Sequence, residues 1–206
     1  MYNEYIEITK DNEGLLFINA VIENLKYGLI SLEAIFRGEI TADYYENEHT
    51  FYFYHLQSLL AAQGNIRNIL FGTYRQYRTV SKSRVQAVRD AFGIDLNVYP
   101  LLKNSDFRNT NMHFDERYYT LCLDGDLNLL RKTDENYHVL INLTHLRALD
   151  LDNFVYISCG VSGKRITMDL RALQDEMQGM LNALTAVDLR KYCAQKGKEK
   201  NQKDGL

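Results

Sequence analysis

Leu15 to Phe36 reads LLFINAVIENLKYGLISLEAIF, and its apolar residues Leu15, Ile18, Ile22, Leu25, Leu29, Leu32 and Ile35–Phe36 recur at three- and four-residue steps. That spacing places them on one face of a helix. Gly38 follows as a plausible stop. A second long helix is expected from Tyr44 to Phe71, with Gly72 after it and an inner stripe of Phe51, Tyr54, Leu59, Ala62, Ile66 and Ile69–Leu70. Two long helices joined by a short link pack as an antiparallel hairpin.

Outward from this pair the helical pattern continues. Ser81 or Ser83 caps a third, shorter helix carrying Val85, Val88 and Phe92, and Gly93 and Pro100 mark the connection after it. Asn104 or Ser105 caps a further helix, about Asp106 to Leu123, closed by Asp124-Gly125-Asp126. Another helix is expected over Tyr137 to Leu149. The pattern then changes: Phe154 to Ser158 and Arg165 to Met168 are β-rich, with Gly160 and Gly163 between them, and read as a β-hairpin. Asp169 caps a last helix from Leu170 to about Tyr192, with Leu173, Met177, Met180–Leu181, Leu184 and Leu189 inside. The expected fold is therefore mainly α, an antiparallel helical bundle with a small appended β-hairpin near residues 154–168. Residues 1–190 form one domain in this reading, and 191–206 a lysine-rich tail expected to be disordered.

The composition agrees. The 206 residues are 46% hydrophobic and 25% charged, as in a soluble globular protein, with one proline and no tryptophan to interrupt helices. Net charge is −3, which excludes a general polyanion binder and leaves only local contact with nucleic acid. The tail holds five lysines against Glu199 and Asp204, so the body is near −6. Met1 to Tyr5 lacks the basic start and apolar run of a signal peptide, and Glu23, Lys26 and Glu33 interrupt the most apolar early segment. Cys122, Cys159 and Cys193 match neither a zinc pattern nor a disulfide framework. A cytoplasmic protein without a membrane span is expected.

Chemistry concentrates in Phe107 to Arg117, FRNTNMHFDER. Arg108 is followed at once by Asn109, and after three intervening residues comes His113. A guanidinium holds a phosphate through two parallel hydrogen bonds and stabilises charge developing on it. An imidazole titrates near neutral pH and moves the proton of a ribose 2′-hydroxyl. Neither step calls for a metal or another cofactor.

This Arg-polar-x3-His pattern resembles that of the HEPN superfamily, whose domains are compact helical bundles and whose active members are mostly metal-independent ribonucleases. The resemblance covers about residues 11–125. It implies that His113 is the general base or acid at the 2′-hydroxyl, that Arg108 stabilises the phosphate, and that Asn109 binds phosphate or orients His113. It also implies single-stranded RNA as substrate, a cyclic-phosphate product, and a toxin, stress or antiviral setting with an antitoxin or other protein as a candidate partner. Asp115 and Glu116 are candidate supporting residues that tune His113, against a bland reading as surface charges paired with Arg117. In the toxins paired with nucleotidyltransferases a tyrosine lies two residues after the histidine; here Asp115 stands there, so modification at that position is not expected.

On one straight helix Arg108 and His113 point roughly 140° apart and do not reach one phosphate together. A two-fold dimer that sets two copies of this helix side by side removes the difficulty, and the family builds its site that way. The expected partner is thus a second copy of the chain.

Two other functions compete. One is a HEPN-like bundle that binds nucleic acid, nucleotide or protein without catalysis, which the acidic body favours. The other is an all-α nucleotide pyrophosphohydrolase, for which Glu4-x-x-Glu7 offers half of the carboxylate pattern and the second half is missing. Gly160 to Lys164 lacks the spacing of a phosphate loop and reads as a hairpin turn. His49 and His55 read as packed or boundary residues in an aromatic stretch, and His138 and His145, seven apart, share a helix face without a third metal ligand.

Overall fold

The computed structural model describes residues 13–40, 47–71, 95–107, 109, 139–142, 147–159 and 165–186. Within them the architecture is mainly helical, with one four-stranded antiparallel sheet that is not closed into a barrel.

Helix α1 spans Glu13–Arg37 and α2 spans Glu48–Phe71. Gly38 ends α1 in the left-handed region at φ 63°, and its N–H still bonds Ala34 O at 3.0 Å. Only glycine takes that conformation without a Cβ penalty. Gly38 approaches Tyr52, Gly28 approaches Leu59, and Asn65 donates to Asn24 at 3.0 Å. These pairs run in opposite order along the two helices, so the expected antiparallel hairpin forms.

The α1 stripe is buried largely as its spacing predicts: Ile18, Leu25, Leu32 and Ile35 are fully buried, with Ile22, Leu29 and Phe36 packed against them. On α2 one expectation fails. Tyr54 is 57% exposed, not part of the inner stripe. The buried residues Phe51, Phe53, Leu56, Leu60 and Leu70 cover an arc of about 200° centred well away from Tyr54. The arc is wide because α2 is covered by α1 on one side and by the sheet on another.

After α2 the described chain resumes with a 3₁₀ turn, Leu96–Val98, and a short helix α3, Pro100–Lys103. Pro100 sits in the first turn of α3, where its missing N–H costs nothing.

Strands β1 (Val139–Asn142), β2 (Arg147–Asp150), β3 (Val155–Cys159) and β4 (Arg165–Asp169) form a meander in sequence order. The expected hairpin is present as β3 and β4. The helix expected over Tyr137 to Leu149 is not: β1 and β2 occupy that stretch and pair from Val139↔Asp150 to Asn142↔Arg147. The reason lies in pattern. Val139-Leu140-Ile141 and Arg147-Ala148-Leu149 are short apolar runs, which periodicity does not divide between helix and strand. All four residues of β2 are buried, so no in-out alternation marks it as a strand.

Register builds two faces. Leu140, Leu149, Tyr156 and Met168 align across the sheet and join the main core. Ala148 and Ile157 form a second, smaller cluster with Val139, Ile141 and Val155. Asp150 closes the β2–β3 turn by accepting from the backbone N–H groups of Asp152 (3.1 Å) and Asn153 (3.0 Å).

β4 runs directly into helix α4, Leu170–Thr185. Asp169 caps it as expected, accepting from Arg171 N at 2.8 Å and Ala172 N at 3.1 Å. Leu173, Met177, Met180 and Leu184 are buried against the core. Each such side chain stabilises the fold by about 1.5–3 kcal/mol. The helix expected near residues 81–92, the Gly160–Gly163 turn, Leu189 and the tail lie outside the described residues. No helix among the described residues is long and apolar enough to cross a membrane.

Candidate functional site

The motif segment starts where sequence places its cap. Asn104 Oδ1 accepts from Asp106 N–H at 2.8 Å, and Ser105 O accepts from Asn109 N–H at 3.0 Å. Asp106, Phe107 and Asn109 are helical, and Asn109 is half-buried. Phe107 is buried, with its ring edge-on to Tyr156 of β3 at 6.2 Å between centroids. Arg108, His113, Asp115 and Glu116 lie outside the described residues, so of the candidate site residues the structure locates Asn109 alone.

What the structure adds is how the start of this segment is held. The Glu176 carboxylate of α4 accepts from Leu101 N–H at 3.0 Å and Leu102 N–H at 2.9 Å. These are first-turn donors of α3, which have no partner inside the helix. A carboxylate also suits the positive end of a helix. Burial pushes the Glu176 carboxyl above its ordinary pKa, and the two N–H bonds pull it part of the way back. Burial raises the Tyr99 phenol, and the nearby negative charge of Glu176 raises it further.

The opposite end of α3 meets α2. Gln63 is fully buried, and its Nε2 lies 3.0 Å from Leu101 O, 3.3 Å from Leu102 O and 2.9 Å from Asn104 O. Its Oε1 is buried and accepts no bond among the described residues. Turning the amide over would set that oxygen against three carbonyls, so the carbonyls determine its orientation. Arg67 adds a bond from Nε to Lys103 O at 3.1 Å. Sequence reading passed over all three residues. A half-buried glutamate on an amphipathic helix looks like a surface charge, and Gln63 carries no local signal at all.

The aromatic stretch of α2 divides. Phe51, Tyr52 and Phe53 are core, while His49 Nε2 lies 3.0 Å from Ile141 O. His55 packs between Phe51 and Tyr54, with ring centroids 4.7 and 5.2 Å away. Burial lowers its pKa. Both histidines are thus packed or boundary residues, as expected. His138 and His145 lie outside the described residues, and the helix that would have given them a common face is replaced by β1 and β2.

Between α1 and α2 lies an open groove of about 530 Å³ whose lining includes Asn24, Tyr27, Ile30, Tyr54, His55 and Asn65. No residue of its lining is acidic, lysine or arginine. It opens on the side of α2 away from Gln63, since Asn65 and Gln63 point about 160° apart. Among the described residues no three His, Cys, Asp or Glu side chains gather as a metal site would require.

No family model matches the chain, and neither a curated protein nor a solved structure matches it.

Proposed function

We propose that this chain is a metal-independent endoribonuclease of HEPN type that cuts single-stranded RNA at a composite Arg/His site between two copies of itself. The observation that carries the reading is Arg108-Asn109-x3-His113, together with a helical start of that segment in which Asn109 already takes part.

In this mechanism His113 takes the proton of a ribose 2′-hydroxyl as its oxygen attacks the adjacent phosphorus. Arg108 stabilises the negative charge that grows on the phosphate oxygens, an interaction stronger in the transition state than before it. Asn109 holds a phosphate oxygen or orients His113. The 5′-oxygen leaves with a proton from the second copy's His113 or from water. The products are a 2′,3′-cyclic phosphate and a 5′-hydroxyl, and toxin or antiviral defence is the setting such an activity fits.

The test is direct. Purified protein is incubated with single-stranded RNA and with DNA of the same sequence in excess EDTA, and the product ends are identified. RNA cleavage leaving a cyclic or 3′-phosphate, with DNA intact, supports the reading. Cleavage that needs Mg²⁺ refutes the mechanism, and binding without cleavage favours a non-catalytic module instead.

A further inference from the structure

We infer that Glu176 and Gln63 are positioning residues for the motif segment, acting through α3 as a clasp; this rests on the ribonuclease reading of that segment.

The geometry is specific. α3 is four residues long, too short to persist alone, since an isolated helix needs about 12–15 residues even to be marginal in water. It is held from both ends by helices distant in sequence. Glu176 lies 74 and 75 residues from the amides it accepts from, and Gln63 lies 38 to 41 residues from the carbonyls it donates to. The two side chains treat α3 as a dipole: a carboxylate at its first-turn N–H groups and an amide donor at its last carbonyls, of which Leu101 O also accepts from Asn104 N–H at 3.2 Å.

The clasp ends at the motif. Asn104 offers its carbonyl to Gln63 and its side chain to Asp106 N–H at the start of the motif segment. A shift of α3 therefore moves the first turn of that segment directly. Phe107, packed on Tyr156, is the next fixed point, and Asn109 follows two residues later. Both side chains bond backbone atoms of α3 and of Asn104, so their influence on the reaction runs through position. Displacing catalytic groups by about 1 Å costs on the order of 10²-fold in rate.

The experiment compares Glu176→Gln, Glu176→Ala and Gln63→Met with wild type in RNA cleavage and in backbone hydrogen exchange. Glu176→Gln keeps one acceptor oxygen, Glu176→Ala keeps none, and Gln63→Met keeps volume without the donor. The expected result is a graded fall in kcat, about 10-fold for Glu176→Gln and about 100-fold for Glu176→Ala, with KM within about twofold of wild type. Exchange at the amides of Leu101, Leu102 and Asn109 should quicken in the same order. Unchanged exchange at Asn109, or equal kcat in Glu176→Gln and Glu176→Ala, overturns the clasp. A fall in kcat that vanishes on cooling each variant to a matched folded fraction overturns it too, because lost stability would then explain everything. If wild type cuts no RNA, the ribonuclease reading fails by itself, and exchange at Asn109 alone decides whether the clasp exists.

Discussion

Gly28 of α1 lies so close to Met177 of α4 that a Cβ built on the glycine would stand 2.7 Å from Met177 Sδ. The same Cβ would be 3.6 Å from Leu59 of α2, so three helices meet at this point. Gly28→Ala then sets two effects against each other. Alanine improves helix propensity by about 1 kcal/mol. Forcing buried Met177 aside costs about 1–3 kcal/mol. The expected outcome is a net loss of about 1 kcal/mol, measured by urea denaturation. A stabilised variant would show that the three helices do not meet this tightly.

Phe154 is the described non-glycine residue with positive φ, at 53°. Its ring is nevertheless well used, edge-on to Phe36 at 4.8 Å between centroids and 5.0 Å under the Arg171 guanidinium. Its carbonyl accepts from Leu170 N–H at 3.0 Å. Removing the ring should destabilise the protein in either small variant. Between them the usual order should invert. The left-handed conformation costs an L-residue about 1–2 kcal/mol and glycine nothing. Phe154→Gly should match Phe154→Ala or exceed it by up to about 1 kcal/mol; a glycine variant clearly weaker than alanine would contradict that backbone.

His55 predicts an acid-sensitive fold. Burial holds its pKa below the ordinary 6.5, so the unfolded chain binds a proton that the folded chain refuses. Stability therefore rises with pH wherever the unfolded state carries more protons. This contribution is fully present above pH 6.5 and is lost as pH falls through the folded-state value. His55→Gln should flatten that part of the stability curve. An unchanged slope below pH 6.5 in the variant would assign the effect elsewhere.

The proposed site makes a prediction about pairs of subunits. His113→Ala should lower cleavage by roughly 10²–10⁴, and Arg108→Ala by about 10²–10³. Mixing the two inactive variants after subunit exchange should restore activity if Arg108 and His113 act across the two-fold. Random pairing leaves about a quarter of the sites intact. No recovery in a mixture shown to exchange, or a strict monomer by light scattering, would sink the composite site.

Periodicity alone determined α1, α2 and α4, because their buried faces repeat every three to four residues and Gly38 and Asp169 mark a stop and a start. Residue type alone determined the β3–β4 pair and the start of the motif segment, where Asn104 caps as its side chain allows. The Arg108-Asn109-x3-His113 pattern was legible because its residues stand close together in sequence. Only the tertiary structure decided the rest. β2 became a strand because β3 offers it a partner edge, and β1 because β2 then offers it one, a pairing across eight intervening residues that Leu140 and Leu149 do not announce. Tyr54 faces outward because the sheet, and not α1 alone, covers α2. Glu176 and Gln63 found α3 because three separate stretches of chain converge there. No local pattern records such a meeting, since a hydrogen bond to backbone depends on where a peptide group lies and not on which residue carries it.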